Sequence, residues 1–142
     1  MDLPSRAVFG LLLTLLVAGC GGGGTVSAES VVRAWNEEVN AGDNEAAAEL
    51  FAEGARVVQV GRARRLVTRA DAVAWNASLP CSARIVSLSA REDTVTAVFV
   101  LADRETSPCD GPGARATTVF RVRDGKIVLW QQVSSRRPTD VA

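Results

Sequence analysis

Residues 119–127 have the sequence VFRVRDGKI, in which apolar and charged side chains alternate from Phe120 up to an Asp-Gly pair. Alternation with a period of two is typical of a strand with one buried face. Asp124-Gly125 is one of the pairs that favour a tight hairpin turn. The segment therefore predicts two antiparallel strands, at residues 115–123 and 126–134.

This hairpin has two possible registers. A two-residue turn pairs Phe120 with Leu129, whereas a glycine bulge in the turn pairs Phe120 with Val128. The choice matters because a slip of one residue exchanges the two faces of a strand. The bulged register places four side chains on one face: Phe120, Val128, Trp130 and Gln132.

Upstream of this hairpin, apolar side chains recur at three- and four-residue intervals, which predicts amphipathic helices. Ser27 can cap a first helix, which Gly42 ends. Asp43 can cap a second helix, which is predicted to include Phe51 and to stop at Gly54. A Thr-x-x-Asp capping pattern at residues 68–71 predicts a third helix, closed by Pro80. Val73, Ala74 and Ala77 are predicted on its apolar side, with Trp75 turned away.

Runs rich in β-branched residues predict the other strands, at residues 56–60, 65–67, 82–90 and 94–102. The predicted order is α-α-β-β-α-β-β-β-β. This order and two passages, residues 32–54 and 119–127, resemble the nuclear transport factor 2-like superfamily, which includes the SnoaL-like polyketide cyclase and limonene epoxide hydrolase families. The resemblance covers residues 28–134. It implies a cone-shaped α+β fold, with three helices packed on a strongly curved, mostly antiparallel sheet and a ligand pocket at the open end.

Enzymes of that superfamily commonly carry an acid–base side chain on the last strand. Counted from Gly125-Lys126-Ile127, the matching position is Gln132, which favours the bulged register because it keeps Gln132 on the pocket face. A glutamine donates and accepts hydrogen bonds but does not take up a proton near neutral pH. The chain also contains no histidine and no tyrosine. The resemblance therefore implies the fold but not the usual catalytic group.

The candidate ligand-binding residues combine large aromatic rings with amide groups, as in pockets for small apolar ligands. They are Trp35, Gln59, Trp75, Phe99, Trp130 and Gln132. The alternative interpretation is that the aromatic rings form the core. Asp103 and Glu105, at the end of the fourth strand, are weak candidates for a catalytic carboxylate.

The first nineteen residues contain an apolar run, residues 7–18, that is shorter than the roughly 20 residues of a membrane-spanning helix. This length is typical of a secretory signal peptide. The run ends in Leu-Val-Ala-Gly-Cys, which resembles the lipobox of bacterial prolipoproteins. It predicts cleavage before Cys20, lipidation of Cys20, and anchoring of the protein to the extracytoplasmic face of the cell membrane. Residues 20–27 form a glycine-rich tether, and residues 135–142 a polar tail.

Two further cysteines, Cys81 and Cys109, are predicted to form a disulfide, since export leads to an oxidising compartment. The alternative is a metal site or a reactive thiol, which the absence of histidine disfavours. Sixteen basic and sixteen acidic residues balance, so no strong field points to nucleic acid. No cofactor or metal is predicted.

A group of arginines lies around the first two strands: Arg56, Arg62, Arg64, Arg65 and Arg69. We expect either a solvated hairpin or a contact with the anionic head groups of the membrane.

The main functional hypothesis is a non-catalytic lipoprotein domain that binds a small apolar ligand or a partner protein of the cell envelope. One alternative is a small isomerase, cyclase or hydrolase that uses Asp103 or Glu105 with an arginine. Another is a structural module that forms a homodimer through the outer face of its sheet.

Overall fold

The structure, a computed structural model, describes residues 26–134. The predicted signal peptide, Cys20 and most of the glycine tether lie outside the described residues, as does the predicted tail at 135–142. Within the described part, no helix has the length and apolar character needed to cross a membrane.

Helix α1 (Ala28–Ala41) begins and ends where its capping residues predict. The hydroxyl of Ser27 accepts a hydrogen bond from the Ser30 N–H at 3.1 Å. Gly42 has a φ of 75°, the left-handed conformation that glycine adopts readily and that ends helices. The buried face of α1 consists of Val31, Val32, Trp35, Asn36 and Val39.

Two further helices and six strands follow, in the predicted order. They are α2 (Asn44–Glu49), β1 (Phe51–Gln59), β2 (Arg62–Leu66), α3 (Arg69–Ser78), β3 (Cys81–Arg91), β4 (Thr94–Asp103), β5 (Arg115–Arg123) and β6 (Lys126–Val133). The strands form one sheet in the order β2-β1-β6-β5-β4-β3, in which β1 and β6 are parallel and all other neighbours antiparallel. The α+β fold implied by the resemblance is therefore confirmed.

The second helix is shorter than predicted. It was expected to include Phe51 and to stop at Gly54, but it ends at Glu49 and both residues belong to β1. Phe51 instead pairs in parallel with Ile127 on β6. The pairing register shifts between Phe51 and Arg56, and Gly54 lies within that irregularity with a φ of 74°. Pairing with a distant strand has overridden the local helical pattern.

The orientation predicted for α3 was wrong, although its capping box is confirmed. Trp75 was expected to be turned away, yet it is only 2% exposed and packs in the core. Ala74 and Ala77, which were expected on the apolar side, are exposed. Burying an indole removes much more apolar surface from water than burying an alanine, so the helix turns its tryptophan inward.

The register of the last hairpin differs from both predicted alternatives. The turn is the two-residue type, because Arg123 pairs with Lys126, so the favoured glycine-bulge turn was wrong. A bulge farther along β6, at Val128, then shifts the register, and Phe120 pairs with Trp130. Phe120 and Trp130 are buried on the inner face, as the predicted glycine-bulge register places them. Val128, which that register also places on the inner face, instead lies near the exposed Arg121 on the outer face.

The core lies between the helices and the inner face of the sheet, and its centre is Trp35. Four rings surround this indole, with centroid distances of 6.5 Å to Trp75, 6.4 Å to Phe99, 5.3 Å to Phe120 and 6.3 Å to Trp130. The ring of Trp75 is stacked on Trp35 and the other three meet it edge to face, and aromatic pairs of both kinds add to the stabilisation from buried area. Much of the interior of the cone is therefore filled.

Candidate functional site

A cavity of about 160 Å³ remains between α1 and the inner face of the sheet. Five of the six predicted ligand-binding residues lie in its wall: Trp35, Gln59, Phe99, Trp130 and Gln132. Trp75 does not line the cavity, because it packs against the ring of Trp130 with centroids 4.9 Å apart and contributes to the core. The ligand-binding role of these residues stays a prediction.

The sheet register brings the two glutamines to the open end of the cavity. Val57 and Val58 of β1 pair with Trp130 and Gln131 of β6, so the next step along both strands places Gln59 beside Gln132. Both glutamines are half-buried, whereas Trp130 is 5% exposed. The cavity thus has an aromatic inner end and an amide-bearing mouth.

The two tryptophans of the cavity wall differ in their hydrogen bonding. Trp35 Nε1 donates to Asn76 Oδ1 at 2.8 Å. Trp130 Nε1 is buried and has no hydrogen-bond partner among the described residues. A buried donor without a partner is uncommon in folded proteins and costs free energy.

The predicted carboxylates lie outside the cavity. Asp103 and Glu105 are both exposed, and neither is part of the lining. Asp103 Oδ1 accepts a hydrogen bond from the Cys109 N–H at 2.8 Å, so this carboxylate holds the loop after β4. The geometry gives no support to catalysis by Asp103 or Glu105 at this cavity.

Arg104, which lies between Asp103 and Glu105 in the chain, was not predicted to have a role. Arg104 is only 8% exposed, and its guanidinium donates hydrogen bonds to oxygens at the ends of α1 and α3 and at the start of α2. The acceptors are Asn76 O at 2.8 Å, Leu79 O at 2.9 Å, Val39 O at 3.3 Å and Asn44 Oδ1 at 2.9 Å. Burial lowers the pKa of Arg104, while the helix-end carbonyls supply the negative partial charge that a carboxylate would otherwise provide.

The predicted disulfide between Cys81 and Cys109 is present, with an S–S distance of 2.05 Å. It joins the first residue of β3 to the loop after β4, and this brings Asp110 to the cavity wall. Asp110 Oδ1 lies 3.3 Å from Cys81 Sγ, a contact without a hydrogen bond because a disulfide sulfur carries no proton. The sequence signal that could have identified Asp110 as a lining residue is the predicted disulfide, because it ties the neighbouring Cys109 to the first residue of β3.

Asp110 and the two cysteines lie close enough together to resemble a metal-binding group. Metal ligation by cysteine requires the thiolate, however, and both sulfurs are bonded to each other. The chemistry of these donors does not fit a metal site in the oxidised protein.

The lining has a simple charge pattern. Among the described residues that form the cavity wall, Asp110 is the one with an ionisable side chain, and it is exposed. The other polar lining side chains are amides and a hydroxyl: Asn36, Gln59, Thr118 and Gln132.

The five arginines of the predicted group do not form a single cluster in the structure. Arg69 forms ion pairs with Glu45 at 3.1 Å and Glu49 at 2.5 Å. Arg56 and Arg65 pair across β1 and β2 and adjoin a shallow depression on the outer face of the sheet, which Arg121 and Arg123 also line. Arg62 and Arg64 are exposed on the edge strand β2.

Comparison with known proteins gives a family and a fold. The sequence profile of the SnoaL-like domain matches residues 32–130. A search of curated proteins finds no match to the chain.

Solved structures with the same fold include a nuclear transport factor 2-like protein of unknown function from Cytophaga hutchinsonii. Its TM-score is 0.64 at 10% identity, over 78% of this chain and 92% of that one. A candidate polyketide cyclase from Sinorhizobium meliloti gives 0.57 at 21% identity, over 72% and 93%. A candidate ketosteroid isomerase from Kribbella flavida gives 0.60 at 18% identity, over 80% and 83%. At these identities the likeness shows the fold alone.

Proposed function

The chain belongs to the SnoaL-like domain family, and we propose that it is a lipid-anchored extracytoplasmic lipoprotein whose domain binds a small apolar ligand without converting it.

The cavity is the observation that carries the binding role. Its inner end is formed by Trp35, Phe99 and Trp130, rings that offer a large apolar surface at a small cost in conformational entropy. Gln132 occupies the position where the resemblance implies an acid–base residue. A site of this composition can hold an apolar molecule but offers no buried group for proton transfer.

The anchor and the compartment are supported by sequence and by the disulfide together. The lipobox-like sequence ends at Cys20, and the other two cysteines of the chain are bonded to each other. Disulfides persist in oxidising compartments and are rare in the cytosol. Export of the domain therefore accounts for all three cysteines.

Cell fractionation tests the anchor. We expect the full chain, expressed in a bacterial host, to sediment with membranes and to carry a lipid mass at its N-terminus. Cys20→Ser should release the protein from the membrane fraction. Release of the unchanged protein to the same extent as Cys20→Ser would contradict the anchor.

Native mass spectrometry of the exported domain, purified from its own host, tests ligand binding. We expect a retained small molecule, and Ala116→Leu, which adds bulk to the cavity wall, should remove it. Ala102→Leu is the matched control, because Ala102 is exposed on β4 and does not line the cavity. An unliganded monomer in all three proteins would contradict the proposal, and an unliganded dimer would favour a dimerisation module.

The second candidate is a small SnoaL-like enzyme, a class to which two names among the structural relatives belong. The observation in its favour is the carboxylate of Asp110 on the cavity wall. Chemical conversion of the retained molecule by the purified domain, abolished in Asp110→Asn, would support this candidate over simple binding.

A further inference from the structure

The cavity also indicates the chemical class of its ligand. From the donor, the volume and the charge of the site, we infer that the ligand is an uncharged molecule of about the size of benzene that presents a carbonyl or ether oxygen to Trp130 Nε1. This inference rests on the proposed binding function.

The donor is the first element. Trp130 Nε1 has no acceptor within the described part of the chain, and the neighbouring rings of Trp35, Trp75 and Phe120 offer only weakly accepting π faces. Trp35 provides an internal comparison, since its equally buried ring has Asn76 as acceptor. The fold therefore satisfies one indole of the cavity wall and leaves the other for an external acceptor.

The route to this donor is the second element. Trp130 packs against the rings of Trp75 and Phe120, and it also lines the cavity. We therefore expect an acceptor atom to approach Nε1 from the cavity.

The volume limits the ligand. An apolar protein cavity of about 150 Å³ stays dry and binds benzene. The cavity here, about 160 Å³, is of similar size and accommodates roughly six to eight non-hydrogen atoms.

The charge pattern excludes an anion. No arginine or lysine occurs among the described lining residues, and Asp110 would repel a carboxylate or phosphate at the mouth. Burying an unpaired charge is costly, so an anionic ligand would lose more by desolvation than the aromatic contacts return. The acceptor is accordingly a neutral oxygen.

The test compares two molecules of equal size. Cyclohexanone carries the acceptor, and methylenecyclohexane replaces its oxygen with a CH₂ group. We expect both to bind the exported domain with its disulfide intact. In ¹H–¹⁵N spectra, cyclohexanone should shift the indole N–H resonance of Trp130 downfield, and methylenecyclohexane should leave that proton near its free position.

Trp130→Phe removes the donor and retains an aromatic ring. It should lower the affinity for cyclohexanone relative to methylenecyclohexane by about three- to tenfold, the effect of one neutral hydrogen bond. Trp75→Phe is the matched control, because Trp75 contacts Trp130 without lining the cavity, and it should leave the ratio unchanged.

The outcomes separate the two proposals. If neither molecule perturbs any tryptophan of the unchanged protein, the binding function itself is wrong. If both bind but the Trp130 proton responds equally to each, or cyclohexanecarboxylate binds more tightly than cyclohexanone, the ligand class is wrong and the binding function stands. Should Trp130→Phe fail to fold, the spectra of the unchanged protein decide.

Discussion

Trp35 on α1 donates its indole N–H to the side-chain oxygen of Asn76 on α3, at 2.8 Å. Asn76 is fully buried, and its amide group donates to the Ala72 carbonyl oxygen at 2.8 Å. Its main-chain carbonyl accepts from Arg104. One residue thus connects the central indole of the core to the arginine that holds the ends of both helices.

Replacing Asn76 with leucine should therefore be strongly destabilising. The change keeps the size of the side chain but leaves the Trp35 N–H buried without a partner, and we expect the free energy of unfolding to fall by about 2–4 kcal/mol. Urea denaturation measures the change. In the double variant Asn76→Leu/Trp35→Phe both hydrogen-bond partners are gone. Its loss of stability should therefore be smaller than the sum of the losses in the two single variants. A double variant with fully additive losses would contradict the importance of this hydrogen bond.

The capping box of α3 should give the stability a specific acid dependence. Hydrogen bonds from the Thr68 backbone N–H and hydroxyl group hold the pKa of Asp71 below its ordinary value of 3.8. A carboxyl whose pKa is lowered by folding stabilises the protein above its unfolded pKa, and this contribution disappears as the pH falls through the folded pKa. We expect the free energy of unfolding to decline as the pH drops below about 4.

Urea denaturation between pH 7 and pH 3 tests this expectation. Asp71→Asn should be less stable than the unchanged protein at pH 7 and should lose less stability over the acid range. Thr68→Val, which removes the hydroxyl partner but keeps the carboxylate, should also flatten the acid decline. Parallel curves for all three proteins would rule out Asp71 as a source of the acid dependence.

The turn between β1 and β2 contains a strained residue. Val60 has a φ of 50°, in the left-handed region that β-branched residues rarely adopt, and it is followed by Gly61 with a φ of 75°. Asn-Gly is a favoured pair for such a turn, so Val60→Asn should raise the free energy of unfolding by about 1 kcal/mol. Val60 is 81% exposed, so the change removes little buried apolar surface.

Thermal or urea denaturation measures the gain. Val67→Asn is the matched control, because Val67 is also exposed but is not among the residues with positive φ. It should leave the stability unchanged or slightly lower. A similar effect at both positions would mean that Val60→Asn acts through surface polarity instead of backbone strain.

Loss of the disulfide should affect both stability and the cavity. The bond closes a loop with a sequence separation of 28, for which the chain-entropy relation gives about 3–4 kcal/mol. Cys81→Ser/Cys109→Ser should lose about this much stability, and it should weaken the proposed ligand binding, since Cys81 and Asp110 form part of the cavity wall. Reductant should destabilise the unchanged protein but not the double variant. Two alkylatable thiols in the unreduced exported protein would contradict the disulfide.

The order of helices and strands could be predicted because it depends on local patterns. The Thr68–Asp71 capping box and the Gly42 helix end fulfil their predicted roles, and Asp124-Gly125 forms the predicted hairpin turn without the favoured glycine bulge. Each of these signals combines hydrogen bonding with backbone conformation over only a few residues.

The structural predictions were wrong or incomplete where a contact with a residue distant in the sequence determines the conformation. Phe51 joined β1 because Ile127 lies beside it, and the bulge at Val128 has no local signal in the sequence. Arg104 follows a strand end, where an arginine is usually solvated, and only the tertiary fold places the ends of α1 and α3 around it. Asp110 reaches the cavity through a disulfide to a residue far along the chain.

The bulge at Val128 has an evolutionary consequence. Val128 is the one residue of β6 that has no partner between Ile127 and Leu129, so deletion of its codon would leave a regular ladder in which Trp130 still pairs with Phe120. Trp130 and Gln132 would stay in the cavity wall. Straightening the bulge with Val128 retained would instead move Leu129 and Gln131 into their places, because a slip of one residue exchanges the faces of a strand. Descendants of this chain could thus lose this residue in one mutational step and keep both the turn and the lining of the cavity.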